Sequence, residues 1–405
     1  MNIRRAFGGR AAGAAAIFAT GAILLSACGG SGAGGAGSDA TGSGASAQSG
    51  DASTGFSLAK GDTIGVAMPT QTSERWIADG NAVKEGLEKA GYKVDLQFAN
   101  DDIPTQTQQV DQMITNGAKV LVLASIDGTA LSSQLDKAAQ AGIKVISYDR
   151  LIRDNKNVDY YVSFDNYKVG VAQGTALLRG MGIVDKDGKE VAGHPTGLNI
   201  ELFAGSNDDN NSQFFFNGAM EALKPYIDNK TLVVKSGQTN FDQVATLRWQ
   251  QDVAQKRMED LITSTYGGGS GKIAGVLSPY DGISRGIITA LQGAGYGKDI
   301  AAGLPIVTGQ DAEIASVKLI NDGVQSSTIF KDTRSLAEQT IKTVTALGEG
   351  KEPEINNTTD YDNGVKVVPS YLLEVKTIFK EDIESEIIGS GYWTADEVKA
   401  GVAAK

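Results

Sequence analysis

From about residue 60 onward, the chain alternates between short β-branched runs and amphipathic segments at helical spacing. The runs predict buried strands and the amphipathic segments predict helices. In the first half, strands are predicted at 63–68, 93–98, 119–124, 144–148 and 160–164, and helices at 75–90, 106–116 and 130–141. Gly91, Gly117 and Gly142 each follow a predicted helix, where a C-terminal cap is expected.

The same alternation returns in the second half. Strands are predicted at 199–203, 231–235, 273–277 and 305–308, and helices at 212–223, 243–263, 283–292 and 312–321. Alternating strands and helices form parallel sheets with helices on both faces. Because 405 residues are too many for one ordinary core, we expect an α/β fold with two Rossmann-like lobes.

The residues that follow the predicted strands are unusually polar and aromatic. Ligands of such sheets lie outside the carboxyl ends of the strands, so these residues should gather in one place. They are Glu74-Arg75-Trp76, Asp149-Arg150, Asp165-Asn166, Asp208 to Asn211, Tyr280-Asp281 and Gln310-Asp311. Turn chemistry also favours Asp and Asn, but Arg and Trp are not turn residues. The set therefore predicts a binding cleft.

These residue types suit an uncharged sugar. A carboxylate such as Asp149 accepts from two adjacent hydroxyls, and Arg donates in a fixed fork. Tryptophan offers a flat apolar wall for a C–H face, although Trp76 and Trp249 could equally be core or interface anchors. An Asp beside an Arg also keeps a buried site near neutral.

The N-terminus has the composition of an export signal. Arg4, Arg5 and Arg10 precede an uncharged run of small and apolar residues, 11–27, which is short for a membrane span. Residues 25–29 read Leu-Ser-Ala-Cys-Gly and resemble the bacterial lipobox, whose cysteine is diacylated. We expect a signal peptide at 1–28 and lipidation of Cys28; the alternative is an ordinary signal with an incidental cysteine.

Residues 29–59 are almost wholly Gly, Ser, Ala and Thr and predict a flexible tether. The protein is then expected at the outer face of the cytoplasmic membrane, at the cell surface or in the periplasm, and in contact with the membrane through its lipid alone.

Composition excludes several other functions. Net charge is −11 with both signs interspersed, which argues against nucleic-acid binding. One histidine, His194, and one cysteine leave no material for a typical metal site or histidine catalysis, so we expect no metal and no cofactor. Paired carboxylates could serve a glycosidase, but interleaved Arg and Lys would hold the cleft carboxylates ionised. A sugar-responsive repressor would need a helix-turn-helix where the export signal stands. We therefore expect no enzyme.

Several stretches resemble the periplasmic-binding-protein type I receptors of bacterial sugar importers, in particular the xylose-binding and multiple-sugar-binding members. The matching stretches are 74–76, 147–150, 162–166 and 309–312, with 209–211 and a predicted helix containing Trp249. The resemblance runs from about residue 60 to about residue 375.

The resemblance implies hydrogen bonds to the sugar from Arg75, Asp149, Arg150, Asp209, Asn211, Asp311 and Lys331, and stacking from Trp76 and Trp249. We also expect Tyr280 and Asp281 at the site. Xylose-binding members carry Asn where this chain has Tyr280, which leaves the sugar open among xylose, glucose and related aldoses.

The resemblance further implies two lobes that exchange strands through three hinge crossings. We expect 60–166 with 332–362 in the first lobe, 167–331 with 363–380 in the second, and a C-terminal extension at 381–405. In that extension Thr394 and Glu397 could cap a final helix. We expect the protein to be a monomer. Its lobes would close on a monosaccharide and present it to the permease of an ABC transporter. A receptor feeding chemotaxis or a sensor kinase is the alternative.

Overall fold

The computed structural model describes residues 56–267 and 272–404, which belong to one compact unit, Thr54–Lys405. The predicted signal peptide, Cys28 and most of the predicted tether lie outside the described residues. The predicted end of the tether at residue 59 is wrong, because Leu58 is buried in the core and Phe56 packs against it. Among the described residues, no helix is long and apolar enough to span a bilayer.

The first sheet has six parallel strands in the order β11-β5-β4-β3-β1-β2. Its strands are β1 Thr63–Met68, β2 Lys93–Phe98, β3 Val120–Leu123, β4 Lys144–Tyr148, β5 Tyr160–Phe164 and β11 Ser370–Leu373. The helices that follow its strands are α1 Glu74–Lys89, α2 Ile103–Thr115 and α3 Ser132–Gln140. The first five strands and the three helices confirm the prediction. Gly91, Gly117 and Gly142 have positive φ, as their capping positions require.

The second sheet has four parallel strands in the order β7-β6-β8-β9. They are β6 Leu198–Leu202, β7 Leu232–Val234, β8 Gly275–Leu277 and β9 Ile306–Val307. The helices around them are α4 Asn166–Gly180, α5 Asn210–Asp228, α6 Phe241–Val244, α7 Gln251–Thr265, α8 Asp281–Gly293 and α9 Ile314–Asn321. We call each sheet with its helices a lobe. The α/β fold with two parallel sheets is confirmed.

Helix α4 lies so close to helix α5 that only glycine fits at the contact. A Cβ atom on Gly170 would lie 2.1 Å from the carbonyl oxygen of Phe215, and one on Gly218 would lie 2.1 Å from that of Tyr167. Main chain therefore packs against main chain, and the contact fixes α5 and the residues at its start.

The chain crosses between the lobes near residues 328–378. Strand β10, Thr328–Phe330, pairs antiparallel with β12, Lys376–Ile378. Helix α10, Thr333–Gly348, follows β10 and packs on α1, where Gly86 leaves room for Ile341. We predicted 363–380 in the second lobe, but β11 pairs with β5 of the first sheet, so the last crossing falls after Leu373. The other predicted lobe bounds stay a prediction.

The predicted helix 243–263 is broken in the structure. Helix α6 ends at Val244 and α7 begins at Gln251, and between them Arg248 and Trp249 have φ of +54° and +58°. Two left-handed residues cannot continue a right-handed helix. Residues Leu247–Trp249 form a short 3-10 turn between the two helices, so the predicted place of Trp249 inside one continuous helix is wrong.

After β12 the chain runs through a short π-helical turn, Ile383–Ile388, to a last helix, α11 Ala395–Ala400. Thr394 and Glu397 form the predicted capping box at its start. This part packs on α9, and Ile383, Ile387 and Val398 share a buried cluster with Ile314 and Val317.

Candidate functional site

A cavity of about 310 Å³ lies at the carboxyl ends of the strands of both sheets. Ten of the eleven predicted ligand residues line it: Arg75, Trp76, Asp149, Arg150, Asp209, Asn211, Trp249, Tyr280, Asp311 and Lys331. Of the residues that the strand-end rule predicted, Arg75 and Asp311 lie 236 positions apart in the sequence and both line this cavity.

Arg75 is the centre of a buried charge network. Its Nη2 donates to Asp79 Oδ2 at 2.8 Å and to Asp149 Oδ2 at 2.9 Å. Across the cavity, Lys331 Nζ lies 3.0 Å from Asp311 Oδ1 and 3.9 Å from Asp149 Oδ2. Arg75 Nη1 also lies 3.7 Å from Asp311 Oδ1. The network joins the first lobe to loops that belong to the second lobe and the crossing.

Asp149 is held in an unusual backbone conformation, with φ of +60° directly after β4. Its carbonyl oxygen accepts from the hydroxyl groups of Tyr161 and Ser163 at 2.7 and 2.8 Å. Asn211, at the start of α5 in the second lobe, donates its Nδ2 to the same oxygen at 2.8 Å. Strained backbone of this kind persists only where surrounding contacts fix it.

Asp149 is ionised. Burial opposes its negative charge, but Arg75, Lys331 and Arg150 hold the pKa of its carboxyl below the usual 3.8. Behind it, burial raises the pKa of Asp79 to about 6 despite the adjacent Arg75. Tyr148 donates its hydroxyl to Asp79.

Arg150 and Asp209 form a second ion pair at the cavity. Arg150 Nε lies 3.2 Å from Asp209 Oδ2. Asp209 caps α5, because its side chain accepts from the backbone N–H of Asn211 at 3.0 Å. Burial raises the pKa of Asp209, and Arg150 opposes that change.

The charges that line the cavity are balanced. Five aspartates, Asp101, Asp149, Asp209, Asp252 and Asp311, face five cations, Arg75, Arg150, Arg248, Arg285 and Lys331. An uncharged polar ligand is the kind that such a balanced lining accepts without leaving a charge unpaired.

Both predicted tryptophans reach the cavity. The guanidinium carbons of Arg75 and Arg150 lie 4.3 and 5.1 Å from the ring centroid of Trp76. Trp249 packs against Gly205, where an added Cβ would be 2.0 Å from the indole. Edge-on contacts with Phe215 and Tyr280, at centroid distances of 6.2 and 6.1 Å, fix the same ring.

Asp281 is the predicted ligand that the cavity lining does not include. It is fully buried, and its carboxylate accepts from Glu313 N at 2.9 Å, Gln325 Nε2 at 2.9 Å and Thr328 Oγ1 at 3.1 Å. Its role is to tie α8 to the loops before α9 and β10. Burial raises its pKa to about 8, and the charge of Glu313 adds to the rise.

Tyr280 uses its hydroxyl within the protein. It donates to Glu313 Oε1 at 2.6 Å, and Ser73 of the first lobe donates to the same atom at 2.7 Å. Arg285 Nη2 donates to Glu313 Oε2 at 2.7 Å. Glu313 is thus a junction between the lobes at the side of the cavity.

Sequence reasoning missed several lining residues. Asp101 follows β2 and could have been found by the rule used for the other strands. Phe215 lies one helical turn after Asn211 in α5, so its spacing was a usable signal. No sequence signal pointed to Arg248, because its place depends on the left-handed backbone before α7. Within the described residues, no group of three or more His, Cys, Asp or Glu side chains is placed to hold a metal ion.

Comparison with known proteins agrees with this fold. Residues 64–352 match the model of the periplasmic binding protein domain. The multiple sugar-binding periplasmic receptor ChvE of Rhizobium radiobacter is 55% identical over 85% of this chain and 94% of its own length. The multiple sugar-binding periplasmic protein SbpA of Azospirillum brasilense is 50% identical over 83% and 91%.

A solved structure is similar over the same region. It is an ABC transporter solute-binding protein from Clostridium phytofermentans with bound β-D-glucose. It superposes with a TM-score of 0.78 at 44% identity and covers 84% of this chain and all of that one.

Proposed function

The chain belongs to the periplasmic binding protein family, and from that premise we propose that it is an extracytoplasmic sugar receptor of an ABC importer. It captures one monosaccharide between its lobes and presents it to the permease. The family is one of binding receptors and not of enzymes, so the sugar leaves chemically unchanged.

The observation that carries the proposal is the composition of the cavity. Balanced aspartates and cations supply acceptors and donors for hydroxyl groups, and two indoles supply apolar walls. The low pKa of Asp149 keeps it an acceptor at neutral pH. It also makes this carboxyl unsuitable as the protonated acid of a glycosidase.

The ligand that we propose is an aldose of the glucose type. The Clostridium relative, at 44% identity, holds β-D-glucose, and the receptors at 55% and 50% identity are named for binding multiple sugars. The Tyr280 hydroxyl donates its hydrogen bond to Glu313. Tyr280 therefore offers the ligand its ring, where the resemblance to xylose-binding members would place an amide, and we expect a sugar preference different from theirs.

A thermal-shift screen of residues 54–405 tests the binding. A ligand that binds only the folded form raises its melting temperature. We expect D-glucose or a related aldose to raise it in the wild type and not in Trp76→Ala. Exposed Asp228 pairs with Lys224 on the surface, so Asp228→Ala serves as the control and should respond like the wild type. A folded wild type that responds to no pentose, hexose or disaccharide would refute the proposal.

We also propose that Cys28 is diacylated and anchors the receptor at the outer face of the membrane. The support is the basic start, the apolar run and the lipobox-like 25–29. Labelling with a radioactive fatty acid should mark the wild type and not Cys28→Ser. Equal label in both would contradict the anchor.

A receptor for signalling is the second candidate, because the same cavity would serve it. Uptake of labelled sugar by cells that lack the protein separates the two. Loss of uptake supports import, whereas normal uptake with a lost chemotactic or transcriptional response supports signalling.

A further inference from the structure

Two aromatic residues near the C-terminus lie behind the loops that carry Asp311 and Lys331, and neither lines the cavity. Trp393 Nε1 donates to the carbonyl oxygen of Ala312 at 2.9 Å. The ring of Tyr392 meets that of Phe330 at a centroid distance of 4.7 Å and an angle of 66°. The function proposed above does not use either residue.

The loop that Trp393 contacts is strained. Asp311 and Ala312 have φ of +92° and +49°, a region that L-residues rarely adopt. Two further hydrogen bonds hold this turn, from Asp311 N to Ile329 O at 2.9 Å and from Ala312 N to Thr328 Oγ1 at 3.1 Å. Because such a conformation costs free energy, its persistence depends on the contacts around it.

Tyr392 contacts the chain on both sides of Lys331. Phe330 precedes Lys331 and packs on the Tyr392 ring, and the Thr333 hydroxyl lies 3.4 Å from the Tyr392 hydroxyl. Arg334 adds a hydrogen bond from Nη1 to the carbonyl oxygen of Ser390 at 3.2 Å. The C-terminal part thus touches both loops whose side chains form the 3.0 Å pair Lys331–Asp311.

We propose that Tyr392 and Trp393 are positioning residues of the sugar site. They fix the Asp311–Ala312 turn and the segment Phe330–Thr333 relative to each other, and so set the place of Asp311 and Lys331 in the cavity. The inference rests on the proposed sugar-binding function. A positioning role differs from a purely structural role, because it predicts a change in sugar affinity that a change in global stability does not explain.

Trp393→Phe is the sharpest variant, because it keeps an aromatic ring and removes the N–H donor. One lost neutral hydrogen bond corresponds to a rise in the sugar Kd of about two- to tenfold. Thr394→Ala is the matched control. It removes the cap of α11 at the next residue, where the Thr394 hydroxyl bonds only within the capping box with Glu397. It should lower the melting temperature and leave the Kd unchanged.

Both variants are titrated by calorimetry well below their melting temperatures, so that folded protein is measured. A wild-type Kd in Trp393→Phe overturns the proposal. So does an equal rise in Kd in Thr394→Ala, since the C-terminal part would then act through stability alone.

Hydrogen exchange in the absence of sugar separates this proposal from the function on which it rests. The amides of Asp311 and Ala312 should exchange faster in Trp393→Phe than in the wild type or in Thr394→Ala. Unchanged exchange refutes the positioning role, even if no sugar is found to bind. Faster exchange supports it, whatever the ligand proves to be.

Discussion

Asp149 is the residue on which the two sides of the cavity depend most. Its carboxylate contacts Arg75 and Lys331, and its carbonyl oxygen accepts from both lobes. Its exposure is only 3%, so each of these contacts is formed away from bulk water. Removal of its charge should therefore affect binding more than it affects the fold.

Asp149→Asn keeps the size of the side chain and removes the charge. Hydrogen bonds to charged groups contribute about 1.5–3 kcal/mol, so sugar affinity should fall by tenfold or more in a calorimetric titration. Asp228→Asn, at an exposed surface pair, is the control and should bind as the wild type does. Unchanged affinity in Asp149→Asn would show that this carboxylate does not contact the sugar.

Gly205 sets the position of an indole by having no side chain. A Cβ atom at this position would lie 2.0 Å from the Trp249 ring, so Gly205→Ala must displace the ring from the cavity wall. We expect a Kd at least several-fold higher. Gly293→Ala is the matched control, because its Cβ would meet no atom within 4 Å. A wild-type Kd in Gly205→Ala would mean that Trp249 does not touch the ligand.

At the scale of elements, the strands of both sheets other than β11 were predicted, because buried parallel strands are nearly continuous apolar runs. Strand β3, all four residues buried, is the clearest case. Helix α4 was missed, because Gly170 and Gly174 weaken its helical pattern. Both glycines are needed at the close contact with α5. Strands β10 and β12 have three residues each, too few for a period to show.

Site residues that directly follow strands were predictable, whereas those whose positions depend on loop conformation were not. Asp149 and Asp311 lie where the sheet rule puts them. Asp281 follows β8 equally well, yet the turn at the start of α8 aims its carboxylate at Gln325 and Thr328. The helix break at Arg248 and Trp249 contains no Gly, Pro or Asn that would predict it from the sequence. Such choices depend on tertiary contacts.

The junction at Glu313 should govern how long the lobes stay together. Ser73→Ala removes the hydrogen bond that the first lobe donates to this carboxylate. Sugar should then dissociate about two- to tenfold faster, as loss of one hydrogen bond predicts, with little change in association. Stopped-flow fluorescence measures both rates. Ser133→Ala, on α3 and away from the cavity, is the control. An unchanged dissociation rate in Ser73→Ala would contradict the role of the junction.

For the whole molecule, polar contacts across the cavity hold the two lobes in the arrangement described. Arg75–Asp311, Lys331–Asp149 and Arg150–Asp209 each join groups from different parts of the fold. A sugar that contacts both sides would favour this arrangement over any in which the lobes separate, in proportion to its difference in affinity for the two.

Stability should fall as pH rises from 5 to 9. The folded-state pKa is raised to about 8 for Asp281 and to about 6 for Asp79, against 3.8 ordinarily. Each group therefore holds a proton in the folded state that the unfolded chain has lost, and the stabilisation disappears as pH passes the folded pKa. His194, whose pKa is raised by a hydrogen bond with Pro195 O and by Glu190, acts in the same direction. The melting temperature at pH 5.5 should exceed that at pH 8.5 by several degrees. A flat or rising profile would contradict the buried-acid account.

The central claim is that one cavity, built from both lobes, holds an uncharged aldose. A crystal structure of residues 54–405 with D-glucose or the best sugar of the screen tests it most directly. The account predicts that sugar hydroxyls lie within hydrogen-bonding distance of Arg75, Asp149 and Asp311, with Trp76 and Trp249 against the ring. A sugar bound elsewhere, or bound without contact to these five side chains, would contradict it.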